Sequence, residues 1–472
     1  MNLTGKKPTF RTEKPQSNPY RMMIWLMMIV VGYWVIRSIW VTNTIAPAFE
    51  ATATPTRTIN SYSQEADAYF VAGNLDKAIE AYQNAARINP NDAELLAKLA
   101  RIQVYKSKTM RTPTDRTDVL RQALQNAEQA NKLAPDDSTV AAIHALALDW
   151  NGTDENAGDQ GPAMLAQAQQ EAKRAIDLDP GNMLAVAYYA EILVDQGNWT
   201  LAQSTIQQAV NRNPSIMDVY RVSGYVLENG GYYRDAIEQY IKAAAINPNL
   251  TFLYIEIGVL YRQLQVYDKA LEYFQKAVDI DKQLNINDPT PYISIAKTYS
   301  QTGDFYAASR NVIKALQLNP ASPDVYGQLA IVMVKSKNYE GALPAFQCAL
   351  EGCTPQVSCS VRECNEATDP QVAIQGMDIS ASTEVYYYTY GSILAGLHRR
   401  GDDKCTHASQ IFSKVKAEFS DDPIAVSIVQ AGEKICAGDT SGSVPLNTIT
   451  PVPSPMGYGT ATPPVTVTPA SQ

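Results

Sequence analysis

The residues best equipped for chemistry are six cysteines, all in the last third of the chain: Cys348, Cys353, Cys359, Cys364, Cys405 and Cys436. The first four follow a C-x4-C-x5-C-x4-C spacing. An even count outside the cytoplasm implies disulfides, which would staple an irregular stretch with little apolar content. A four-thiolate zinc site is the rival reading. The spacing lacks the usual C-x2-C pairs, so disulfides are favoured and no metal is expected. Cys405 opens one short helix and Cys436 ends the next, with the turn near Ser420 between them. Consecutive helices run antiparallel and the two climbs nearly match, so these cysteines are expected to bond. The other four are left to pair among themselves.

Other chemistry is sparse. There are three histidines, His144, His398 and His407, and no Ser–His–Asp, Cys–His or HExxH pattern. No glycine-rich phosphate loop is visible either. No catalytic residue and no cofactor is therefore expected, and the chain reads as a non-enzyme. His144 reads as packing or surface. His398 sits near a helix end beside Arg399 and Arg400, where a cation favours the dipole. Two loops carry opposite charge: Lys106, Lys108, Arg111 and Arg116 in one, Asp149, Asp154, Glu155 and Asp159 in the other. The two are expected to pair with each other. A partner or ion site on one rim is the alternative, but the acidic loop lacks the ligand order of a calcium loop.

The elements that must position these groups are read from a repeat. Between Met183 and Lys282 an alanine recurs every 34 residues, at Ala202, Ala236 and Ala270. Four residues after each stands Ile206, Tyr240 or Phe274, and seven after each stands Ala209, Ala243 or Ala277. Steps of four and three keep residues on one helical face. Upstream, Ala190, Gly224 and Gly258 are small enough to let a second helix approach. Pro214 and Pro248 close two of the three segments and Lys282 takes that place in the third. Self-similarity at this period means stacked helical hairpins.

The pattern resembles the tetratricopeptide repeat, position by position at Gly224, Leu227, Ala236, Tyr240, Ala243 and Pro248. Earlier repeats carry Ala66, Tyr69, Gly73, Ala78, Tyr82, Ala85 and Pro90, then Ala100, Ala123, Ala127, Ala130 and Pro135, then Ala145, Ala168, Ala172, Ala175 and Pro180. The second and third carry eleven extra residues each between their paired helices. The seventh repeat has Tyr292, Ala296, Tyr299, Gly303, Ala308, Ala315 and Pro320, after four extra residues. The eighth has Tyr326, Ala330, Ala342, Phe346 and Ala349, and the ninth Tyr387, Tyr390, Gly391, Leu394, Ala408, Phe412 and Val415. The resemblance implies an all-α, right-handed superhelical solenoid of about nine antiparallel helix pairs over 59–436. A Cys-rich insertion occupies 351–380 and a capping helix 422–436.

Length and charge fit that reading. The chain has 472 residues, 45% hydrophobic and 18% charged, with a net charge of −9. Residues 1–42 are net basic and the remainder acidic, which argues against nucleic acid. After a basic tail (1–21), residues 22–41 form an apolar run with a single charge, Arg37, long enough to span a bilayer. The basic flank sets the N-terminus in the cytoplasm and the repeats outside it. A cleaved signal peptide, with Ala46-Pro47-Ala48 as the cleavage site, is the alternative. Residues 42–58 read as a Thr/Ala/Pro linker and 437–472 as a disordered Pro/Thr/Ser-rich tail.

The concave groove is the usual binding surface in the family this chain resembles. Counting from each repeat start sets Tyr188, Glu191, Arg221, Tyr225, Glu228, Phe252, Ile255 and Arg262 on its wall. Aromatics with isolated charges suit an extended or helical peptide. Packing alone is the alternative, since the chain has 27 tyrosines. One subclass of the family clamps a C-terminal carboxylate with Lys and Asn. Here Ser63 and Asp67 hold those positions, so that mode is not expected. The expected function is a membrane-anchored, extracytoplasmic scaffold with a protein or peptide partner and no small-molecule substrate. The alternative is a structural envelope component that uses its tail for surface or glycan attachment.

Overall fold

A computed structural model describes residues 18–42, 59–110, 113–212, 215–365 and 367–438. The basic tail before residue 18, the linker 43–58, the tail from 439, Arg111 and Pro214 lie outside the described residues. Two compact units divide at Thr58. The first contains helix α1 (Pro19–Thr42). Its Pro19–Ser38 stretch is long and apolar enough to cross a membrane, and none of it is buried.

The second unit is a stack of helical hairpins. Its pairs are α2 (Ile59–Val71) with α3 (Leu75–Ile88), α4 (Ala93–Ser107) with α5 (Pro113–Leu133), and α6 (Ser138–Gly152) with α7 (Gly161–Leu178). Next come α8 (Met183–Asp195) with α9 (Trp199–Arg212), α10 (Met217–Asn229) with α11 (Tyr233–Ile246), and α12 (Thr251–Gln263) with α13 (Tyr267–Leu284). The last three are α14 (Thr290–Thr302) with α15 (Phe305–Leu318), α16 (Pro323–Lys335) with α17 (Tyr339–Leu350), and α19 (Glu384–Leu397) with α20 (Cys405–Glu418). The short α18 (Pro355–Val361) lies in the insertion, and α21 (Pro423–Cys436) covers the last pair. Among the described residues there is no strand, only isolated bridges such as Cys353 with Ile374.

The repeated small residues are where helices meet. Ala78, Ala202, Ala236, Ala270 and Ala308 are all fully buried. A Cβ built on Gly258 of α12 would lie 2.5 Å from the Phe274 ring of α13, and one on Gly224 of α10 would lie 3.0 Å from Tyr240 of α11. The large residue of the second helix thus fills the space left by the missing side chain of the first. Helix starts are set by side-chain caps: Asn74 accepts from the Lys77 N–H at 3.1 Å, and Asp92 from the Leu95 N–H at 3.1 Å. The turn inside a hairpin needs a left-handed residue, supplied by Gly73, Gly197, Gly231 and Gly303; Gln265 and Lys337 take that conformation in two others.

Local sequence explains the irregular lengths. Where the third of the 34-residue segments has Lys282 instead of proline, α13 continues to Leu284 and stops on Asn285, itself left-handed at φ 54°. The four extra residues before the seventh hairpin are this added turn. Helix α5 starts seven residues, and α7 four, ahead of the place that Leu75 holds relative to Ala78. The apolar core runs from Ala66 to Leu260 as one cluster and from Ile293 to Val429 as another, with Ala270, Phe274, Val278 and Ile295 between them.

Candidate functional site

In the cysteine region the structure pairs neighbours. Cys348 bonds Cys353 at a Cα separation of 4.7 Å, and Cys359 bonds Cys364 at 5.0 Å. Cys405 bonds Cys436 at 5.5 Å, across the open end of the stack. The first two bonds close tight turns at either side of α18. Arg362, almost fully buried, donates to the Pro370 carbonyl and holds the rest of the insertion down. The charged loops also meet. Arg116 donates to Asp154 at 2.8 Å and to Glu155 at 2.6 Å, and Thr117 donates to Asp154 at 2.7 Å. Burial pushes the Asp154 carboxyl up, but the bonds from Thr117 and Arg116 outweigh it and leave it below the usual carboxylate range.

The inward-facing residues are the first helices' contribution to the hollow of the stack. Among the eight residues expected on the groove wall, Tyr188, Glu191, Arg221 and Phe252 are buried, 6% exposed or less. Tyr225, Glu228, Ile255 and Arg262 are half-buried. The four interior ones are covered because the stack winds back on itself. Arg101 and Tyr105 of α4 reach over to Asp218 of α10, and both donate to its carboxylate. The Tyr105 ring lies 5.7 Å from Phe252 of α12. Lys108, just past α4, donates to Glu256 of α12 at 3.2 Å. The turn at Gly73 abuts Asn249, whose carbonyl oxygen would sit 2.0 Å from a Cβ there. Repeats one and two therefore close against repeats five and six.

Inside this closure the polar groups bond to one another. Arg221 forms a two-pronged pair with Glu191, 2.8 and 2.6 Å, and its guanidinium lies 5.6 Å from the Tyr105 ring centre. Trp150 of α6 donates to the same Glu191 at 3.2 Å. Tyr188 and Tyr105 exchange a bond at 3.1 Å. Tyr225 donates to Asp195 at 2.5 Å, and Tyr240 to Glu228 at 3.0 Å. Burial raises the Glu228 carboxyl to about 7, with the nearby Glu256 charge adding to it against the Tyr240 bond. Arg262 stands apart, 5.8 Å from the Phe274 ring and 3.4 Å from the Ser294 carbonyl, and burial lowers its pKa.

Arg101, Tyr105, Asp149, Asp195 and Asp218 were not singled out as groove residues in the sequence. The signal for the α4 pair was available. Ala100 and Ala190 hold the same place in their repeats, so Arg101 corresponds to Glu191 and Tyr105 to Asp195. What the spacing does not contain is the winding that brings α4 to α10 and α12.

Comparisons with known proteins agree with the hairpin reading. A family model described as a TPR repeat matches residues 66–104, and models described as tetratricopeptide repeat match 164–216, 253–284 and 290–322. No curated protein matches the chain in sequence. Among solved structures, TTC0263, a thermophilic TPR protein of Thermus thermophilus, is 18% identical with a TM-score of 0.36, over 43% of this chain and 98% of that one. The Cut9–Hcn1 hetero-tetramer of APC/C is 14% identical with a TM-score of 0.43, over 65% and 54%. YrrB, described as a TPR protein with an unusual peptide-binding site, is 21% identical with a TM-score of 0.25, over 43% and 94%.

Proposed function

The chain is a tetratricopeptide-repeat protein, and we propose that it serves as a non-enzymatic scaffold for protein–protein interaction, anchored by α1 with its repeats outside the cytoplasm. The supporting observation is the run of inward aromatic and charged side chains on α8, α10 and α12, of which Tyr225, Glu228, Ile255 and Arg262 keep part of their surface open. Such a mix of apolar surface with isolated charges suits a peptide segment of a partner protein. The anchor is supported by the unburied apolar helix α1 and by the basic residues before it. Three disulfides suit an oxidising compartment.

Photo-crosslinking in cells tests the groove. A crosslinker at position 255 or 262 is expected to capture a discrete protein partner, and one at the outward, exposed Glu238 is not. Capture of the same proteins from all three positions would overturn the groove reading. Topology is tested separately: protease added to intact spheroplasts is expected to digest the repeats. Repeats protected there but cleaved in lysed cells would overturn the orientation.

A further inference from the structure

One buried group in the closed part of the stack has no donor to satisfy it. Asp149, near the end of α6, is fully buried, and among the described residues no N–H or O–H meets either carboxylate oxygen. An isolated carboxylate in such a place costs several kcal/mol, and real proteins avoid it by neutralising the group. What Asp149 faces is another acid. Asp195 of α8 lies within hydrogen-bonding reach of it. Two carboxylates can be joined only if one of them carries a proton.

We propose that Asp149 and Asp195 hold one proton between them, and that this proton ties the inward faces of α6 and α8 into the closure made by α4, α10 and α12. The cations near the pair are shared with other acids. From α8 the pair faces Glu191, whose oxygens are already taken by Arg221 and Trp150. From α10 it faces Arg221, paired with Glu191 and near Asp218, and Tyr225, which donates to Asp195 Oδ1. Glu228 of α10 and Glu256 of α12 add negative charge nearby, and Lys108, after α4, bonds Glu256 while also favouring the charged forms of Glu228 and Asp195. Asp149, Glu191 and Asp218 thus draw on Arg221, and Asp195, Glu228 and Glu256 on Lys108, while Arg101 serves Asp218. The arrangement favours protonation. Burial, then the Asp195 and Glu191 charges, raise the Asp149 carboxyl well above its usual range. Burial holds the Asp195 carboxyl at about 6 although Tyr225 opposes it.

The sign follows from linkage. The closed state binds a proton that the opened state releases above the ordinary carboxylate pKa of about 4. The contribution to closure is therefore fully present below about pH 4 and declines as pH rises through the raised values. This inference stands whether or not a partner enters the groove, because it is read in the full-length chain alone.

Hydrogen exchange of the α4 amides across a pH series, corrected for intrinsic rates, provides the test. Protection in the wild-type chain is expected to fall with rising pH above about 5, and the closing proton contributes about tenfold per pH unit to that fall. In Asp149→Asn the amide keeps the bond to Asp195 without a titrating proton, so the fall should be shallower by that factor. Asp195→Asn is the second variant and should give the same reduction. Identical slopes in the wild type and both variants would overturn the proposal. So would loss of α4 protection at every pH in both variants, since an amide at either position keeps the bond that the proton makes.

Discussion

The first six hairpins and the last three are built from one repeat yet hold together in different ways. In the first group, long side chains from α4 and the turn after it cross the hollow to pair with carboxylates of α10 and α12. In the last group the interior is apolar and aromatic, with Tyr326, Tyr386, Phe346 and Phe412 fully buried, and the loose parts are tied by three disulfides. A solenoid hairpin touches only its neighbours, so its ends are weakly held unless something else restrains them. Here the N-terminal end is restrained by winding back on later repeats, and the C-terminal end by a covalent bond between its last two helices. The first device is conditional on side-chain charge; the second is conditional on oxidation.

Substitutions can break each restraint separately. The largest effect is expected from Arg101→Met, which leaves the fully buried Asp218 without its cross-hollow cation. Removing one partner of a buried pair costs about 3–5 kcal/mol, and urea unfolding should show the loss in the first six hairpins while the C-terminal ones keep their midpoint. An unchanged first transition would mean that the closure adds nothing to stability.

Loss of the Cys405–Cys436 bond comes next. The bond spans 31 residues, and opening it with paired alanines should remove about 3 kcal/mol from the last hairpin alone. Proteolysis at α21 in the double variant but not in the wild type would report it, and equal resistance of the two proteins would refute it. Gly258→Ala should cost about 1–3 kcal/mol, because its Cβ would lie 2.5 Å from Phe274. Gly224→Ala, with 3.0 Å to Tyr240, should cost less. The reverse order in thermal melts would contradict the packing described for these helices. The smallest effect is a gain. Lys337 occupies a left-handed position that glycine holds in other hairpins, and Lys337→Gly should add about 0.5–1 kcal/mol. A destabilised variant would show that the lysine side chain contributes more than its backbone costs.

Much of the fold was legible because it depends on local periodicity. Ala202, Ala236 and Ala270 mark packed faces at a fixed step, and each is buried where the step sets it. The Arg116–Asp154 meeting was also legible, since equivalent loops of neighbouring hairpins lie side by side. The inward face was only half legible. Tyr188 and Glu191 are buried within the closure, and whether a hollow stays open there depends on small rotations accumulated over several repeats. No residue spacing records that sum. Asp149 shows the limit most clearly: in the sequence it is one acid of a charged loop, and only the packing of α8 against α6 makes it a buried group without a donor among the described residues.

The unequal helix lengths carry a consequence of their own. Helix α5 exceeds the common length by seven residues at its start, α7 by four at its start, and α13 by four at its end. At about 100° per residue, seven residues return within about 20° of two full revolutions and four within about 40° of one. Growth by whole revolutions lets the chain enter or leave each helix on the side facing its partner. A duplication of five residues at the same places would leave the connection roughly 140° away, on the wrong side of the cylinder. The molecule can thus lengthen its hairpins only in quantised steps, and grafted segments of four, seven or eleven residues are the ones its architecture should accept.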